Sequence, residues 1–184
     1  MAGTDGESNS KPSPYRVIGA FYLIALFVLA LDQAVKLLAL DTLRIGHEVP
    51  MLGPFVSLSL RHNYGAAWGL LAGHTRWLTY VAVVLVAILL VGGRWAPRMP
   101  GYLRIGLPLL LGGALGNLTD RLRFGYVVDF IDFHFWPIFN VADIAIVASA
   151  AVICYHVILQ ERADAHRDAN GTEASAKDHP CDQC

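Results

Sequence analysis

The chain has 184 residues, 55% of them hydrophobic and 16% charged, with a mean hydropathy of +0.46. That is more apolar and less charged than an average soluble domain, and the length bounds a single domain. The formal net charge of −1 lacks the basic excess of a nucleic-acid-binding protein, so no nucleic-acid partner is expected.

Residues 1–14 are polar and rich in Gly, Ser and Pro, and read as a disordered tail. Residues 17–31 are apolar, and the helical pattern runs on through Asp32 and Lys36 to about Leu40. The leader before it carries Asp5 and Glu7 and no A-x-A site follows, so a retained first span over about 16–40 is expected rather than a cleaved signal. Val56, Leu58 and Leu60 alternate with Ser57 and Ser59 at the period of a half-buried strand, which predicts a small sheet. Asn63-Tyr64-Gly65 then suggests a turn. Residues 65–73, GAAWGLLAG, are too short to span and read as a short amphipathic segment outside the bilayer.

Residues 77–93 carry no charge and predict the second span. A basic loop with Arg94, Arg98 and Arg104 follows, and residues 102–119 predict a third span kinked at Pro108. Residues 120–140 connect it, through an interfacial aromatic series that includes Phe133, Phe135 and Trp136, to a fourth span over 141–159. Residues 161–184 are charged and read as a disordered tail. Cys154, in an apolar run, reads as core. Cys181 and Cys184 form a C-x-x-C that reads either as part of that loose tail or as a metal or redox pair. The expected architecture is therefore membrane all-α. A four-helix domain covers 15–160, and 41–76 and 120–140 lie outside the cell membrane with a small β-sheet. The acid-free basic loop and both termini lie on the cytoplasmic side.

Polar groups gather between residues 112 and 143, and charge beside lipid is costly enough to mark a functional site. Asn140 and Asp143 have the spacing of a helix cap, which explains them without catalysis. Asp120 falls at a helix C-terminus, opposed by the dipole, and needs a partner; Arg121 or Arg123 is nearest. Asp129 sits among apolar residues and should be hard to ionise, with Asp132 the exposed acid of the pair. Asp32 and Lys36, four apart, read as an ion pair that ties the first span to the bundle. Asp129 and Asp143 are fourteen residues apart with Pro137 between them, so they meet only if the chain folds back. Two carboxylates that meet would share a proton, one acting as base on a water and the other donating to a carbonyl. There is no H-E-x-x-H, no G-x-S-x-G and no close metal spacing, so neither a metal nor another cofactor is expected.

Five blocks carry a resemblance: DQAVK at 32–36, HNYGAAWG at 62–69, GGALGNLTDR at 112–121, GYVVDFIDF at 125–133 and FNVAD at 139–143. Together, over about residues 17–160, the chain resembles bacterial lipoprotein signal peptidase, or signal peptidase II. The resemblance implies a four-span aspartyl protease of the inner membrane, with a small extracytoplasmic β-cradle and its active site near the outer face. It would cut a prolipoprotein just before its diacylglyceryl-cysteine. It implies Asp129 and Asp143 as the catalytic pair. Asn63, Gly113, Asn117, Arg121 and Asn140 would hold substrate or the cyclic peptide inhibitor globomycin, and Asp32, Lys36 and Asp120 would support the site. Its partners would be lipid-modified prolipoproteins and membrane lipids, and a monomer is expected. The stretch between the two catalytic candidates is shorter than is common in the family, which bears on the shape of that loop. Two competing readings are a small proton-coupled transporter and a structural membrane subunit. A transporter wants its acids near the midplane, whereas here they fall at span ends.

Overall fold

In a computed structural model, the structure describes residues 12–65 and 75–177, with side chains to residue 163. Most of the expected N-terminal tail, nearly all of the amphipathic segment at 65–73 and the Cys181/Cys184 pair lie outside the described residues. The elements run α1 Pro14–Thr42, β1 Glu48–Leu52, β2 Val56–Asn63, α2 Thr75–Gly92, a 3-10 turn Gly93–Arg98, α3 Gly101–Phe124, β3 Val127–Asp132 and α4 Val141–Lys177.

Among the described residues three helical stretches are long and apolar enough to cross a membrane: Pro14–Thr42, Thr75–Arg98 and Val141–Ala163. The third expected span, α3, is not among them, and its place in the bundle explains why. It packs against α1, α2 and α4, so its surface meets protein and carries Gly, Asn and Asp where the others carry Leu and Val. The outer faces of α1 and α2 stay apolar, with Leu23, Phe27, Leu38, Val84 and Ile88 exposed. A helix apolar all round fits lipid on one side and a protein core on the other. Cys154, expected in the core, lies exposed on α4 for the same reason.

The buried side of α1 is a single stripe, Phe21, Ala25, Val28, Asp32, Lys36 and Ala39, at the three-and-four spacing of one helical face. Its first half packs with Val86, Leu89, Leu111 and Leu118. Its last residues meet Leu60, Val128 and Phe130 of the sheet. Between the two apolar clusters the stripe turns charged, and that is where the site forms.

The sheet has order β1-β2-β3 and is antiparallel throughout. The predicted alternation in β2 is present, but Ser57 and Ser59 are buried along with Leu60, so both faces of the strand's middle are covered. Gly125, at φ 79° with its N–H on the Arg121 carbonyl, ends α3 and turns the chain into β3. After β3 the chain folds back: Phe139 bridges Ile131, and its N–H donates to the Ile131 carbonyl at 3.1 Å. This return delivers Asn140 and the start of α4 beside β3. The helix then continues to Lys177, past the tail boundary expected near 160. Residues 161–177 are rich in Ala, Glu and Arg, which favour helix without needing an apolar face.

Candidate active site

Strand alternation decides where Asp129 points. Val128 and Phe130 turn into the cluster at the end of α1, so Asp129, between them, turns to the opposite face. Asn63 pairs with Val127 across the sheet and shares that face. Its amide donates to Asp129 Oδ2 at 2.9 Å. The other oxygen, Oδ1, accepts from the Asn140 amide at 2.7 Å.

The first turn of α4 places Asp143. Its N–H donates to Asn140 Oδ1 at 3.0 Å, and the Asn140 N–H returns to Asp143 Oδ2 at 3.2 Å. This is a reciprocal capping box with Asp in the place of Glu. The other oxygen, Asp143 Oδ1, accepts from Asn117 Nδ2 at 2.8 Å. Asn140 is wholly buried, and its amide also donates to Asn117 Oδ1 at 3.1 Å. The two aspartates are thus joined through Asn140 directly and again through Asn117. Helix cap and carboxylate bridge are one arrangement.

Asp129 is 2% exposed, and its pKa is pushed up to about 7. Burial is the larger cause and the neighbouring charge of Asp143 the next. Hydrogen bonds from Asn63 and Asn140 and the positive charge of Lys36 oppose them. A carboxylic acid that keeps a proton near neutrality, beside a second carboxylate, is the arrangement in which one group can serve as acid and the other as base.

Beneath the pair lies a buried charge cluster. Lys36 Nζ is 2.9 Å from Asp32 Oδ2, 2.8 Å from Asp120 Oδ2 and 3.0 Å from Asn117 Oδ1, which uses all three of its N–H groups. Asp32 Oδ1 accepts the Ala142 N–H at 2.8 Å, at the start of α4, and Asp120 Oδ2 accepts the Val128 N–H at 3.1 Å, in β3. The partner of Asp120 is therefore Lys36, not Arg121 or Arg123 as expected. Neighbours in sequence do not face each other on a helix, and Asp120 faces α1. Asp132, expected to be exposed, is 8% exposed and accepts the His134 N–H at 2.7 Å. Gln33, which sequence reasoning passed over, donates to Asp120 Oδ1 at 3.0 Å and Asp32 Oδ2 at 3.2 Å. Among the described residues no group of three His, Cys, Asp or Glu could hold a metal.

A cleft of about 420 Å³ opens over the site, lined by Asn63, Asn117, Arg121 and Asp143 with apolar walls from Leu85 and Ile146. Arg121 brings its positive charge toward the acids, and its Nε has no hydrogen-bond partner among the described residues. A second, almost wholly apolar cavity of about 490 Å³, walled by Phe133, Phe135, Trp136, Ile144 and Val147, also reaches Asp143. Gly113, expected to hold substrate, packs closely on α4. A Cβ there would lie 2.5 Å from the Ala142 carbonyl oxygen, so the position serves close helix packing.

The fold and site are those of a helical integral membrane protein with two hydrogen-bonded aspartates, Asp129 buried and Asp143 half-buried, at one end of its bundle. Comparison with known proteins identifies the group. The signal peptidase (SPase) II family matches residues 24–159. The lipoprotein signal peptidase of Moorella thermoacetica is 47% identical over 139 residues, covering 76% of this chain and 93% of that protein. That of Halothermothrix orenii is 39% identical over 141 residues, covering 77% and 97%. A bacterial membrane enzyme solved by the in meso method at 2.3 Å superposes with a TM-score of 0.73 at 31% identity, covering 78% of this chain and 90% of that one. The chain belongs to the signal peptidase II family, and it is an integral membrane protease.

Proposed function

We propose that this protein removes the signal peptide from diacylglyceryl-modified prolipoproteins, cutting on the N-terminal side of the lipidated cysteine, with Asp129 and Asp143 activating the attacking water. The observation that carries this reading is the pair of carboxylates, Asp129 buried and Asp143 half-buried, both bound to Asn140, with Asp129 also held by Asn63 of β2 and Asp143 by Asn117 of α3. In the ground state the pair holds one proton. The ionised member takes a proton from water as it attacks the scissile carbonyl, and the protonated member donates to the carbonyl oxygen. The roles then reverse as the amine leaves. Arg121, at the wall of the cleft, offers guanidinium donors to the peptide backbone, and Asn63 and Asn117 hold the dyad while facing the same space. Asn140 fixes the two carboxylates relative to each other.

The domain over 15–160 is proposed to span four times, with α3 as a protein-shielded span. Its 24 residues reach about 36 Å, more than a bilayer's hydrocarbon core. The basic loop around Arg94 and Arg98 and both termini would be cytoplasmic, and the sheet and dyad would lie at the outer face of the inner membrane. The protein would work as a monomer, with globomycin competing for the cleft.

A lipid-anchored substrate reaches such a place by partition, each buried methylene adding about 0.8 kcal/mol to membrane binding. Its chains can lie against the apolar cavity beside Asp143, and anchoring lowers the entropic cost of alignment. The test is purified protein in detergent with two precursors at equal concentration, one diacylglyceryl-modified and one with unmodified cysteine. Cleavage of the first and little or none of the second is expected; equal rates would defeat the lipid-directed reading.

A further inference from the structure

We propose that Gln33 is a positioning residue for this reaction, locking together the two carboxylates that hold the two catalytic elements in place. The inference rests on the dyad reading above. Asp32 accepts from the Ala142 N–H, one residue before Asp143; Asp120 accepts from the Val128 N–H, one residue before Asp129. The separation and tilt of the dyad therefore follow those of Asp32 and Asp120. Two side chains join that pair. Lys36 reaches Oδ2 of both, at 2.9 and 2.8 Å. An ammonium is a compact point charge with rotatable donors, so alone it fixes a distance rather than an orientation. Gln33 supplies the second direction. Its Nε2 is 3.0 Å from Asp120 Oδ1, 3.2 Å from Asp32 Oδ2 and 3.3 Å from the Gly116 carbonyl oxygen. The two oxygens of Asp120 are thus held from different sides, Oδ1 by Gln33 and Oδ2 by Lys36 and Val128, and the carboxylate cannot turn. Gln33 lines none of the cavities around the dyad among those described and touches neither catalytic aspartate, so it acts through others.

The test compares Gln33→Met, which keeps the length and removes the donor, with the parent enzyme on a diacylglyceryl-modified precursor in detergent. A misplacement well under 1 Å should lower kcat about tenfold and leave KM within twofold. The pH–kcat bell should also narrow, because the two apparent pKa values of a dyad converge as its carboxylates separate. A merely structural contact would move thermal stability and leave the bell's width alone. Should Gln33→Met fail to fold, Gln33→Asn, whose amide is one methylene too short to reach both carboxylates, carries the same expectation. Asp129→Asn runs alongside. If it turns over normally, the dyad reading falls and this proposal with it. If it is inactive while the folded Gln33 variant keeps parental kcat and bell width, the positioning claim alone is overturned.

Discussion

Asn140 is the residue on which local and functional demands coincide. Its backbone and side-chain oxygen cap α4, and its amide spans from Asp129 to Asn117. The sequence offered a helix cap and a catalytic pair as alternatives for Asn140 and Asp143; a cap built with Asp143 aims that carboxylate and so serves both. Asp129 carries a cost that can be measured. Its pKa is about 7 in the fold, against about 4 in an unfolded chain, so the folded state binds the proton more tightly. The stability this lends is complete below about pH 4 and is lost as pH rises toward 7. Asp129→Asn should therefore melt above the parent at pH 8, by roughly 1–3 kcal/mol, with the gap closing toward pH 4. Thermal melts of both proteins across that range check it; a variant less stable at pH 8 than at pH 4, relative to the parent, would contradict the burial argument. At this scale Asp129, Asp143, Asn117 and Asn140 stood out in the sequence because polar groups between apolar runs are conspicuous. Gln33 and the Lys36–Asp120 contact did not, since each joins α1 to α3 and no local pattern encodes a partner on another helix. The burial of Asp132 was equally hidden, because it depends on the chain's return after β3.

Among the elements, α3 sets the geometry. It lies against α1 and α4 closely enough that a Cβ on Gly116 would meet Asp32 Oδ2 at 2.5 Å and Ala142 Cβ at 3.1 Å. Gly116→Ala should push α1 from α3 just where Lys36 binds both acids. Overpacking of this kind costs about 1–3 kcal/mol, and turnover should fall tenfold or more because the dyad is held through that contact. A melt and a turnover assay on the same preparation test both halves, and unchanged turnover would show that the buried cluster does not set the dyad. The apolar spans and the alternating strand were legible as elements, since their periods are local. The helix expected over 102–119 is present as α3, but a helix shielded by three others needs no lipid-facing surface, so it falls short of the apolarity of its neighbours. The far end of α4 was missed because polar residues of high helix propensity look like a tail when judged by hydropathy alone.

For the whole molecule, the charge cluster, the sheet and the aromatic cavity all lie toward one end of the bundle, around the C-terminal ends of α1 and α3 and the start of α4. The proposed orientation predicts that a reporter fused within the basic loop at 94–104 behaves as cytoplasmic and one fused near residue 50 or 134 as external. The reverse pattern would remove the dyad from the outer face. Five sequence blocks were enough to suggest the family, because they fall in order at the span ends; none of them could show that Asp129 and Asp143 converge on one asparagine, which is a property of the folded return through Phe139. The central claim is that these two carboxylates act as a unit on a lipid-modified precursor. Its most direct test is turnover of that precursor by the parent, Asp129→Asn, Asp143→Asn and the double variant, each confirmed to be folded in the membrane. Residues that act as a unit are non-additive, so each single variant should be inactive and the double variant scarcely worse; near-normal turnover by either single variant would contradict the account.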